Sequence, residues 1–121
     1  MKLKEISYIH AQAYPAGELK HGTLALIDEQ TPSIFLMPDD LMFEKNMSSL
    51  QEIKARNGKV LVISDKKVPG ADRQIMIPET LPEIYPFLTN VAAQLLAYHV
   101  ADLLNRNIDK PRNLAKSVTV K

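Results

Sequence analysis

Two apolar runs that never alternate with polar residues constrain this chain most. Ser33-Ile34-Phe35-Leu36-Met37 lies between Pro32 and Pro38, and Val60-Leu61-Val62-Ile63-Ser64 follows about one helix later. A strand of that kind needs cover on both faces, as in the parallel sheet of an α/β protein. Between the runs, Phe43, Met47, Leu50 and Ile53 recur at spacings of four, three and three, which predicts one buried stripe on a helix over 41–57. Asp39 or Asp40 is expected to cap that helix, Lys54 and Arg56 suit its carboxyl end, and Gly58 is expected to stop it. Strand, helix, strand argues for a parallel α/β sheet. Gln74-Ile75-Met76-Ile77 predicts a third, shorter strand. The link Asp65–Arg73 is short for a helical crossover, so either orientation of that strand stays open.

A long helix is expected over 83–105, with Pro82 and Pro86 near its first turn. Leu88, Val91, Ala92, Leu95, Leu96, Val100, Leu103 and Leu104 give it a broad apolar face. Residues 1–10 read as the last turns of a helix, with Ile6 and Ile9 as a buried pair. A break at Tyr14-Pro15 precedes a segment, Gly17–Ile27, that is helical over part of its length. From Arg106 onward Asn, Asp and Pro favour an irregular tail. The balance of 45% hydrophobic and 24% charged residues is that of a folded domain, and 121 residues suffice for one core. A net charge of +1 without long basic runs points to neither nucleic acid nor an anionic membrane as partner. With no secretory signal and no long apolar segment, a cytoplasmic location is the default. Cysteine is absent, which removes disulfides, thiolate metal sites and a cysteine nucleophile from this chain.

Four stretches carry a resemblance. They are Leu3-Lys4-Glu5-Ile6-Ser7-Tyr8-Ile9-His10-Ala11, Gly17-Glu18-Leu19-Lys20-His21-Gly22-Thr23-Leu24-Ala25-Leu26-Ile27, Gln94-Leu95-Leu96-Ala97-Tyr98-His99-Val100-Ala101 and the tail Asp109–Lys121 with Asn113-Leu114-Ala115-Lys116-Ser117-Val118-Thr119-Val120. In order and spacing they resemble the C-terminal end of the glucosamine-6-phosphate synthase family, the isomerising glutamine–fructose-6-phosphate aminotransferases. The resemblance implies a second sugar isomerase (SIS) domain: α/β, a three-layer α/β/α sandwich around a mainly parallel, flavodoxin-like sheet. It places an incomplete SIS domain at 1–106 and a tail at 107–121. The family's first helix is longer and follows a first strand, so the expectation is a domain lacking that strand.

The resemblance also assigns residues. Lys116 is the lysine that forms a Schiff base with fructose 6-phosphate, and Ala115 beside it contacts substrate. Glu5 is the carboxylate that moves a proton between C1 and C2 and also touches substrate. Lys2, three residues earlier on the same helix face, reaches the reacting end of the sugar. His21 is the histidine that assists ring opening across a dimer interface. These types suit the chemistry. An imine acidifies the adjacent C–H, a carboxylate shuttles the proton, and an imidazole works near neutral pH. An unperturbed lysine has a pKa of about 10.4, so a working Lys116 requires a site that depresses it. Thr23 stands where the family usually has proline. His10 and His99 read as packed structural histidines, and the three histidines lack metal-ligand spacing.

Fructose 6-phosphate or glucosamine 6-phosphate is the implied ligand, and a homodimer or larger homo-oligomer the implied assembly; no cofactor and no metal is implied. No Gly-rich phosphate loop and no Ser/Thr cluster at a helix start is present, and in the family that loop belongs to a preceding isomerase domain. The resemblance implies that ammonia is released from glutamine by an N-terminal cysteine of a separate glutaminase half, a route this cysteine-free chain cannot supply. The expectation is an isomerase-domain fragment of an enzyme of amino-sugar synthesis, inactive when isolated. Two alternatives are a sugar-phosphate-sensing SIS module without catalysis, and a truncated product able only to fold and associate. Glu5 and Lys116 together argue against the sensor, which needs no imine-forming lysine.

Overall fold

A computed structural model of the chain describes residues 2–114. In order it contains α1 (Lys2–Ser7), two short 3₁₀ turns (Ala16–Lys20 and Thr23–Leu26), β1 (Ser33–Leu36), α2 (Phe43–Lys54), β2 (Val60–Ser64), β3 (Arg73–Met76) and α3 (Tyr85–Leu103). These form two compact units. Residues 13–92 make a sheet unit, and residues 2–12 with 93–114 make a terminal unit, so α3 begins in one and ends in the other.

The sheet unit holds a three-stranded sheet in the order β1-β2-β3, with flanking helices. Both pairings are parallel, Ser33 opposite Val60 and Leu61 opposite Arg73, which settles the orientation of the third strand. The return from Ser64 to the level of Leu61 covers three residues, about 10 Å. Nine residue steps reach up to about 30 Å, so no helix is required. The link is fastened instead. Val68 is buried in the core, and Gln74 accepts the Val68 N–H (3.0 Å) and donates to the Lys66 carbonyl. The Asp72 carboxylate accepts the Val60 N–H at 2.7 Å and pairs with Lys54 at 2.8 Å. Those contacts tie the start of β2 to the end of α2.

Met37, Leu50, Ile53, Val60 and Val62 are nearly inaccessible and form the core with Phe35, Phe43 and Val68. The β2 run is covered on both faces, as its composition predicts. The β1 run is not: Phe35 and Met37 are buried, but Ile34 is 41% and Leu36 50% exposed. β1 is an edge strand of this sheet, and the face that carries Ile34 and Leu36 is about half exposed among the described residues.

The ends of α2 differ from expectation by one turn. Asp40 accepts the Met42 N–H through its side chain (2.8 Å) and the Phe43 N–H through its carbonyl, so it forms a turn ahead of the helix and leaves the cap to Met42. At the other end Asn57, at φ 60°, takes the left-handed position. Gly58 N–H bonds the Ile53 carbonyl and Asn57 N–H the Lys54 carbonyl, a Schellman motif. Gly58 is needed for space, because a Cβ there would lie 2.5 Å from the Ile53 side chain and 2.7 Å from Ile27.

In the terminal unit, Ile6 packs against Ala97 and Ala101 of α3, with Leu3 and Ile108 beside them. Tyr8 turns left-handed (φ 65°) and ends α1, so Ile9 is exposed instead of pairing with Ile6. α3 ends in a second Schellman motif: Asn105 is left-handed, Arg106 N–H bonds the Ala101 carbonyl and Asn105 N–H the Asp102 carbonyl. Beyond Tyr85 in its first turn, its buried edge is made of small side chains, Thr89, Ala92, Ala97 and Ala101, while Val91, Leu95, Leu103 and Leu104 of the expected apolar face are exposed. Among the described residues no helix is long and apolar enough to cross a membrane.

Candidate functional site

α1 is only six residues long, but its i, i+3 geometry sets Lys2 and Glu5 side by side, Nζ to Oε2 3.3 Å. The Glu5 side chain is mostly covered and that of Lys2 mostly exposed. Both line a cleft of about 340 Å³ whose other walls are Ile6, Ile108, Asp109, Pro111 and Leu114. The far wall exists because the cap at Asn105 turns the chain out of α3 and back across α1. The Asn107 side chain then accepts the Lys110 N–H at 2.9 Å and shapes the next turn. The cleft thus sets one ammonium and two carboxylates on an apolar floor. A carboxylate held in a fixed direction there is placed to take a proton from a bound carbon acid and return it.

His21 belongs to the sheet unit. It follows the first 3₁₀ turn, its N–H bonds the Glu18 carbonyl at 3.1 Å, and its ring is exposed with Nε2 4.0 Å from the Glu18 carboxylate. Gly22 after it lies at φ 116°, a conformation that side chains rarely adopt, and Thr23 opens the second 3₁₀ turn. Lys20 pairs with Glu52 of α2 at 3.0 Å and anchors the turn. The structure brings Glu5 and Lys2 together in one cleft. Ala115 and Lys116 lie outside the described residues. His10 and His99 are exposed, not packed, and the His99 ring meets the Tyr98 ring edge-on. Among the described residues no group of three or more potential ligands could hold a metal.

Two features escaped sequence reasoning. Asp109 enters the cleft from the tail, where a lone carboxylate beside a proline gives no pattern to read. At the carboxyl ends of β1 and β2, Asp65 accepts the Tyr85 hydroxyl at 2.6 Å and the Asp39 N–H at 2.8 Å. Lys66 pairs with Asp39 at 2.6 Å over the Phe43 ring. Burial works against ionisation of Asp65, but the Tyr85 hydroxyl and the Asp39 and Asp65 N–H groups outweigh it and hold the carboxyl below the usual range. Strand ends of this kind are where open α/β sheets take ligands. Here the groups satisfy one another and tie β1, β2 and α3 together.

Comparison with known proteins agrees with this geometry. A family model described as the SIS domain matches residues 1–103. The chain is 53% identical over 124 residues to a glutamine–fructose-6-phosphate aminotransferase (isomerizing) of Thermus thermophilus, covering 99% of this chain and 20% of that protein. It is 50% identical over 125 residues to the protein of the same name from Zymomonas mobilis, covering 99% of this chain and 21% of that one. The chain therefore spans about a fifth of the length of these relatives. Among solved structures, the C-terminal domain of glucosamine-fructose-6-phosphate aminotransferase from Francisella tularensis superposes with a TM-score of 0.82 at 38% identity, over 90% of this chain and 32% of that one. A parallel sheet with flanking helices, a match along most of the sequence and a close structural likeness have one reading: this chain belongs to the SIS domain family.

Proposed function

We propose that the chain is the isomerase part of an isomerising glutamine–fructose-6-phosphate aminotransferase, which makes glucosamine 6-phosphate and glutamate from fructose 6-phosphate and glutamine. One observation carries the reading: Lys2 and Glu5 share a cleft with residues 108–114, the segment that leads in sequence to Ala115 and Lys116. The relatives' names supply the reaction.

In this reading residues 1–106 act as the SIS domain and 107–121 as its catalytic tail, in the cytoplasm. His21 opens the sugar ring from a partner subunit of a homodimer or larger homo-oligomer, a role that suits an exposed imidazole. The Lys116 amine adds to the C2 ketone and expels water, giving an imine. Ammonia displaces the lysine at C2. Glu5 then takes the proton from C1 and returns it to C2, while the C1 hydroxyl proton passes to the C2 nitrogen and C1 becomes the aldehyde, so an aminoaldose results from a ketose without any oxidant. Lys2 steadies the negative charge that builds at the C1 oxygen, and Ala115 lines the substrate beside Lys116. Ammonia and the phosphate grip come from outside these residues. The isolated chain therefore makes no glucosamine 6-phosphate from glutamine.

The test replaces the matching residues of the Thermus thermophilus relative with this chain. Lys116→Arg keeps the charge but forms no imine, and synthesis should fall by a factor on the order of 10³ or more while glutamine hydrolysis survives. Synthesis near the unsubstituted rate would refute the assignment of the tail lysine.

A further inference from the structure

The tail is fastened by one residue that the reaction itself does not use. Tyr8 sits at φ 65°, where a tyrosine is uncommon, and ends α1 three residues after Glu5. That turn directs its phenol at the returning chain. The Tyr8 hydroxyl accepts the Arg112 N–H at 2.9 Å, across 104 positions of sequence. The Arg112 guanidinium lies over the same ring at 4.1 Å from its centre, and that of Arg106 at 5.3 Å. A half-buried ring thus meets the tail at two points. One is just after the cap of α3, and the other is four residues before Lys116. Cleft-lining residues Ile108, Asp109 and Pro111 fall between those two points. The hydrogen bond goes to a backbone N–H, so it fixes the path of the chain whatever side chain stands at 112.

We propose that Tyr8 is a positioning residue: it clamps the tail at Arg106 and Arg112, and so fixes the path of the chain that walls the cleft beside Glu5 and leads in sequence to Lys116. The proposal rests on the functional reading above for its consequence, but not for its geometry. Tyr8 follows the last residue of α1, and its N–H still bonds the Lys4 carbonyl at 3.2 Å, so the clamp is joined directly to the helix that carries Glu5.

Two measurements test it. The first is amide exchange in the 121-residue chain, read by NMR. The Arg112 amide should be protected, and Tyr8→Phe, which keeps the ring and loses the acceptor, should speed its exchange by about five-fold. Equal exchange in the two proteins would overturn the clamp. The second follows the Lys116 adduct formed with fructose 6-phosphate and cyanoborohydride, whose hydride reduces the imine to a secondary amine. It uses the hybrid enzyme described above. The first-order rate constant of trapping should fall about five-fold in Tyr8→Phe and about thirty-fold in Tyr8→Leu, so that restoring the ring recovers part of the loss. A smaller folded fraction would lower the amount of adduct but leave the rate constant unchanged. Trapping at Lys116 with the same rate constant in all three proteins would overturn the proposal. If the unsubstituted hybrid forms no adduct at Lys116, the functional reading fails, and the amide measurement alone decides the clamp.

Discussion

The two units of this chain are held together by different physics. The sheet unit is a continuous stretch with a dense apolar centre, in which Met37, Val62 and Ile63 are wholly inaccessible. The terminal unit gathers its members from both ends of the sequence around Ile6, two alanines and their neighbours, and closes with a tyrosine, two arginines and one long-range hydrogen bond. A large core tolerates little change in volume, because close packing leaves nowhere for neighbours to relax. A small core edged by polar contacts is easier to open. Glu5 and Lys2, proposed to act on the open-chain sugar, fall in the terminal unit, whereas His21, proposed to open the ring, stands on a surface turn of the sheet unit.

That contrast can be broken most directly at Leu50. It is 1% exposed in the middle of the sheet unit's core, and Leu50→Ala should cost about 3 kcal/mol. Thermal or denaturant unfolding should show the loss across every amide of β1 to β3. A loss below about 1 kcal/mol would mean that the core is looser than its burial implies.

A smaller effect is expected at Ile6. Ile6→Ala removes the main apolar contact of α1 and should cost about 2 kcal/mol. The decisive readout is its distribution: amide exchange should quicken over 2–8 and 97–108 and stay unchanged in the strands. If the strands lose protection equally, the two units unfold as one and the contrast fails.

The smallest effect is electrostatic. The folded carboxyl of Asp65 titrates below its ordinary range, so its contribution is present above the unfolded value, near pH 4, and is lost as pH falls through the folded value. Tyr85→Phe removes the hydroxyl donor. The stability difference between the two proteins should be present at pH 7 and should close below roughly pH 4. A difference that persists unchanged into acid would locate the effect in ring packing and not in the hydrogen bond.

The strands and α2 were legible because burial leaves a period in the sequence: Phe43, Leu50 and Ile53 are buried as their spacing predicts. Where the reading failed, the cause was non-local. Ile34 and Leu36 belong to an apolar run, but whether a face is covered depends on which elements pack on it, and no residue in the run records that. Ile9 seemed a partner for Ile6 until the left-handed turn at Tyr8 reversed its direction. The parallel β3 depends on Asp72, Gln74 and Val68 acting together, and a rule that expects a helix in every crossover does not anticipate them. Glu5, Lys2 and His21 entered by resemblance alone, since each has an ordinary surface role available. Glu5 and Lys2 do share a cleft, but Asp109 and the clamp at Tyr8 become visible only when residues 104 apart are brought together.

The discontinuity of the terminal unit has a kinetic consequence. Its two pieces are separated by the whole of residues 13–92, so forming it closes a long loop, and the entropy of that closure weighs on any step that brings the ends together early. The sheet unit needs no such closure: its strands follow one another through links of a helix or less, and all of it is synthesised before residue 93. The order of assembly is therefore sheet first and cleft last. Ile6→Ala should accordingly speed unfolding while leaving the main refolding rate almost unchanged in stopped-flow measurements. A matching drop in the refolding rate would place α1 in the folding nucleus instead. A chain that builds its sheet before its cleft passes through a stage in which the sheet is folded and Lys2 and Glu5 still lack the far wall of their cleft.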